Sequence, residues 1–160
     1  MLVKIGVGSD NLILTPAVFK LLERVGERIL NQEGASDAEL SVLLVNNAEI
    51  RRLNKRWRGI DAPTDVLAFS QREGDTPLCL PAEIDLLGDV VISVEQATQQ
   101  AKERGKCVNE ELAWLLIHGT LHLLGYDHLT GSQKKRMQTR QREILAELGL
   151  GWQSRGGSSA

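Results

Sequence analysis

Asn109-Glu110-Glu111-Leu112-Ala113-Trp114-Leu115-Leu116-Ile117-His118-Gly119-Thr120-Leu121-His122-Leu123-Leu124-Gly125 is the stretch on which the fold turns. Asn109 with acids behind it is a helix start, and Gly125 is a helix stop. Between them apolar residues occupy nearly every position instead of one stripe. Such a helix has no face to give to water, so it belongs in a core. The nearly apolar run Leu112–Leu124 is 13 residues long and holds two histidines. It falls short of the roughly 20 residues that cross a bilayer. A core helix needs layers around it, and the rest of the chain must supply them.

Upstream, Leu2–Val7 reads as a strand. Thr15-Pro16 opens a helix whose apolar period, Val18, Leu21, Leu22, Val25, Ile29, runs to about Leu30. Leu40–Val45, apolar but for Ser41, is expected to be a central strand covered on both faces. Asn46 with Glu49 starts a helix reaching about Arg56, and Val66–Phe69 and Val90–Ile92 are two more short strands. The loop between them, from Arg72 to Gly88, is long enough to suspect function. Ser93 with Gln96 opens a helix to about Arg104. Downstream of the core helix, a last helix from about Ser132 to Leu148 carries Met137, Ile144, Leu145 and Leu148 on one stripe. Strands interspersed with helices predict an α+β (mixed α/β) fold: one domain over 1–150, about four strands in a mixed sheet, and about five helices. The tail 151–160, which lacks core formers from Gln153 onward, is expected to be disordered.

The 160 residues suit one domain, with 42% hydrophobic and 25% charged residues. No basic segment followed by an apolar run marks the start as an export signal. Cys79 and Cys107 lack a metal-like spacing, so no disulfide partner is expected and a reducing cytoplasm is indicated. The net charge of −2 argues against coating nucleic acid through global charge. Yet Arg51, Arg52, Lys55, Arg56 and Arg58 fall within eight positions, and Lys134, Lys135, Arg136, Arg140 and Arg142 within nine, without an acid in either stretch. Each is a local footprint suited to phosphate contacts or, more plainly, a solvated helix face.

All three histidines lie in His118-Gly119-Thr120-Leu121-His122-Leu123-Leu124-Gly125-Tyr126-Asp127-His128. Positions four apart share a helix face, so His118 and His122 can aim at one point. A left-handed Gly125 lets the chain turn back and bring His128 to the same place. Three imidazoles with one open position form the ligand set of a catalytic zinc, one Zn²⁺ per chain, with other divalent metals possible. A closed structural site would need Cys107 to approach in space. Asp127 either orients a ligand histidine from behind or serves as a base. The spacing is also that of metzincin peptidases, whose Glu after the first His supplies the general base; here that position is Gly119.

At these residues the chain resembles the YbeY family of bacterial zinc-dependent endoribonucleases. Its H-G-x-L-H-L-x-G-Y-D-H signature is complete from His118 to His128, and further blocks stand at Arg58–Ser70 and Leu87–Ser93. Ala68 and Ser70 stand where the family usually shows Ser and Pro. The resemblance covers the chain to about Leu148. It implies metal ligands His118, His122 and His128 and catalytic roles for Arg58 and His118. The implied activity is single-strand-specific cleavage in rRNA maturation, at the 16S rRNA 3′ end, and in ribosome quality control. RNA and the small ribosomal subunit are the implied partners, and the first basic cluster, Arg51, Arg52, Lys55, Arg56 and Arg58, supplies the expected RNA contacts. A metallopeptidase and a non-enzymatic ribosome-associated metal-binding protein are the alternatives.

Overall fold

The computed structural model describes residues 3–10, 12–71 and 85–150. Four strands and five helices follow one another as β1 (Val3–Val7), α1 (Pro16–Gln32), β2 (Ala38–Val45), α2 (Asn47–Arg58), β3 (Val66–Ser70), β4 (Asp85–Ser93), α3 (Val94–Arg104), α4 (Val108–Leu123) and α5 (Gly131–Glu147). The sheet order is β1-β2-β4-β3, with β1, β2 and β4 parallel and β3 antiparallel to β4. The α+β fold with a four-stranded mixed sheet and five helices is therefore as the sequence predicts.

Leu40, Val42 and Leu44 of β2 enter the main core with α1 and α4, while Leu43 and Val45 enter a smaller one with Ile50 and Leu53 of α2. The apolar run of β2 thus has a physical reason, since both faces of the strand are covered. α4 touches α1, α3, α5, β3 and β4, which explains an apolar surface all round.

Element ends differ from the sequence reading where capping decides them. α2 runs to Arg58 and stops at Gly59, whose φ of 72° is left-handed. α4 starts two residues early, with Cys107 rather than Asn109 as its N-cap. α5 starts at Gly131 because Thr130 and Gln133 form a reciprocal capping box. β4 begins at Asp85, so the end of the expected loop is strand. It was hidden by Gly88 and by a register irregularity at Glu39/Leu40. A Cβ on Gly88 would meet the Phe69 carbonyl oxygen at 2.3 Å, so only glycine lets β3 approach there. The remainder of that loop, 72–84, Cys79 within it, and the tail 151–160 lie outside the described residues.

Candidate metal centre

His118 and His122 project from the last turns of α4, one turn apart. The helix then ends in paired bonds, Gly125 N–H to His122 O at 3.1 Å and Tyr126 N–H to Leu121 O at 3.0 Å, with Gly125 at φ 103°. These are the two bonds of a Schellman motif, and they reverse the chain. His128 returns to the helix end, and one ligand atom from each histidine lies within 4.8 Å of the other two. The ring centroids are 5.2, 5.9 and 4.6 Å apart.

The donor set fits a divalent metal. Burial, then the neighbouring His118 and His128, hold the His122 pKa below the usual imidazole range, so the ring is kept neutral and able to coordinate. His118 Nδ1 lies 3.1 Å from Gln141 Oε1, and Gln141 is buried at 1% exposure. An amide oxygen can only accept, so it places the proton on Nδ1 and leaves Nε2 for a metal. Among the described residues no cysteine or carboxylate joins the three histidines. Cys107 caps the opposite end of α4 with its thiol on Glu110, about 16 Å of helix away from His118. Among the described residues the three histidines leave a fourth position open, as in a catalytic site.

Asp127 Oδ1 accepts the backbone N–H of His128 at 2.7 Å, so its carboxylate shapes the returning loop. Tyr126, beside it, donates to Glu33 Oε1 at 2.7 Å, while Arg140 grips the other oxygen of Glu33 at 2.9 Å. α1, the loop and α5 are thereby tied together. Sequence reasoning missed Gln141. Its signal was a polar residue on the Met137, Ile144, Leu145 stripe of α5, where core packing expects an apolar one.

The three imidazoles border a cleft of about 470 Å³ shared with Arg58, Asp65, Ala68 and Ser70. Arg58 reaches it over β3, the outermost strand of the described sheet, donating to the Ala68 carbonyl at 3.1 Å, with its guanidinium 6.0 Å from the Phe69 ring centre. Of the other residues in the first basic cluster, Arg51 and Lys55 face Asp61 at 2.8 and 3.9 Å and Arg52 pairs with Glu49 at 2.6 Å. They are exposed, but their charges are answered within the molecule. Gly119 has a second meaning here. A Cβ on it would meet Val90 Cγ1 at 2.8 Å and Val66 Cγ2 at 3.3 Å, so the glycine lets α4 lie against the sheet. At the position that carries a glutamate in metzincins, a side chain would force Val90 or the helix to shift.

A mixed sheet carrying a core helix whose end presents three convergent imidazoles to an arginine-bearing cleft defines a class, α+β proteins with an open histidine metal centre. The family model for endoribonuclease YbeY matches residues 9–149. An endoribonuclease YbeY of Pelotomaculum thermopropionicum is 45% identical over 135 residues, 84% of this chain and 88% of that one. One from Moorella thermoacetica is 48% identical over 133 residues, 81% of this chain and 85% of that one. The solution structure of TM1509 from Thermotoga maritima superposes with a TM-score of 0.64 at 26% identity, covering 96% of this chain and 93% of that one. The chain belongs to the YbeY endoribonuclease family.

Proposed function

We propose that the protein is a zinc-dependent endoribonuclease that cuts single-stranded ribosomal RNA, at the 16S rRNA 3′ end, in the cytoplasm and in association with the small ribosomal subunit. The observation that carries this reading is one cleft lined by three imidazoles and the Arg58 guanidinium. His118, His122 and His128 would hold the ion, which supplies Lewis acidity to a phosphodiester when bound. Arg58 supplies a fixed positive charge beside them, suited to the oxygens of a phosphate as negative charge builds there. Gln141 keeps the His118 ring in one tautomer, and Asp127 keeps the His128 backbone in place. The family supports the RNA substrate, and Gly119 weighs against peptide hydrolysis because the carboxylate that would serve as base is absent beside the first histidine.

The test uses the full chain loaded with zinc against single-stranded and duplex oligoribonucleotides and against casein. Chelator-sensitive internal cleavage of the single strand alone is expected. Casein cleavage would favour a peptidase. Stoichiometric metal with no turnover of either would favour a binding protein. Cosedimentation with small subunits checks the ribosomal partner.

A further inference from the structure

We propose that Trp57 is a stacking platform for one nucleobase of the RNA strand, outside the metal cleft and on the far side of Arg58; the proposal rests on the endoribonuclease reading. Trp57 is 62% exposed at the end of α2, an uncommon position for the largest apolar side chain. It is nonetheless held in place. Its ring meets Phe69 edge-on, with centroids 6.5 Å apart and planes at 65°, and the Arg56 guanidinium lies 5.2 Å from its centre. Phe69 also lies beneath Arg58, whose guanidinium reaches over the edge of β3 to the Ala68 carbonyl in the cleft. Trp57, Phe69 and Arg58 therefore form one continuous surface running out from the metal centre.

The charges along that surface point to a nucleic-acid strand. Arg51, Arg52 and Lys55 answer acids of the same helix or of the loop after it. Arg56 and Arg58, which flank Trp57, pair with no acid among the described residues. A restrained aromatic ring with one guanidinium beside it and a second on the neighbouring Phe69, neither facing an acid of the described residues, is the pattern by which proteins hold single strands: cations follow the phosphates while the ring takes a base of any identity. A protein partner would also value an exposed tryptophan. Two arginines that face no acid among the described residues favour the polyanion.

Zinc-loaded full-length protein is given a single-stranded oligoribonucleotide and a series of the same strand, each bearing one abasic residue. One abasic position away from the scissile bond is expected to raise KM roughly tenfold with little change in kcat, the size of one lost stacking contact. Trp57→Ala should raise KM roughly tenfold on the intact strand and remove the sensitivity to that position. Trp57→Phe should restore most of both. The proposal is overturned if all abasic positions act alike on the parent protein, which needs no variant to fold. It is equally overturned if Trp57→Ala leaves KM unchanged, or raises it while the abasic profile persists, as loss of packing or of a protein-docking residue would. Should the parent cleave no strand, the endoribonuclease reading fails separately. Fluorescence anisotropy of the same labelled series then still decides whether Trp57 holds a base.

Discussion

At its first turn α4 buries Glu111 completely, with Lys106 Nζ 2.9 Å away and Arg104 at 3.0 Å. At its last turns the same helix carries His118 and His122 towards His128, where three groups of one kind converge and no acid from the described residues joins them. The first end joins opposites. The carboxylate also sits in the first turn of the helix, where the backbone dipole favours negative charge. The second end gathers donors that repel one another when protonated, with Arg58 adding to that repulsion and Asp127 offsetting part of it. Folding alone gives no reason for that arrangement, whereas a bound cation does. Burial by itself therefore does not mark function in this protein; what distinguishes the two ends is whether the buried polar groups complete each other.

Replacing the ligands should break the comparison most severely. His118→Ala, His122→Ala or His128→Ala should each abolish zinc retention and RNA cleavage, well beyond the roughly 10–100-fold cost of a lost supporting hydrogen bond. Metal analysis after dialysis and a cleavage assay check this. Added zinc should raise the melting temperature of the parent but not of these variants, because only a bound ligand stabilises the native state.

The other end should fail differently. Glu111→Ala leaves the Lys106 ammonium buried without its carboxylate and should cost about 3 kcal/mol, the lower end for a broken buried pair because Lys106 can shed its proton. Burial already holds its pKa below the usual lysine value. A fall of about 10 °C in melting temperature is expected, with zinc stoichiometry intact in the folded protein. Loss of zinc from the folded variant would show that the two ends are not separable.

Arg58→Ala sharpens the comparison from the cleft side. Removing one electrostatic stabiliser should lower kcat on RNA about 10²-fold with metal content and melting temperature near the parent's, since the side chain is exposed. Undiminished turnover at saturating RNA would remove Arg58 from the reaction. The smallest effect belongs to Gln141→Leu, which keeps bulk but withdraws the acceptor from His118 Nδ1. Zinc affinity measured against a competing chelator should weaken roughly 10–100-fold. An unchanged affinity would mean that the His118 tautomer is fixed by other means.

The relation between what was legible and what was not runs along the same helix. His118, His122 and His128 were legible because helical spacing and a left-handed glycine are local, and eleven residues contain all of them. Arg58 was legible only as part of a charge cluster and through the family resemblance, since nothing local says that it crosses the edge of β3. Asp127 was named for its neighbour His128, and the bond that it makes there is to the backbone N–H. Gln141 stands 23 residues from the ring it supports, and Glu111 read only as an acid in a first turn, with nothing local to say that it meets Lys106 in the interior.

By itself the sequence determined the core helix, the alternation of strands and helices, and the histidine trio, because each follows from the periodicity of a short segment and the conformational freedom of particular residues. Tertiary structure alone decided that Arg58 shares the cleft with the histidines, that Gln141 sets the tautomer of His118, that Glu111 is buried against Lys106, and that Gly119 is glycine for packing as well as for chemistry. Those outcomes depend on how closely separate layers approach one another, on a scale of tenths of an ångström, and short-range spacing along a chain carries no record of that distance.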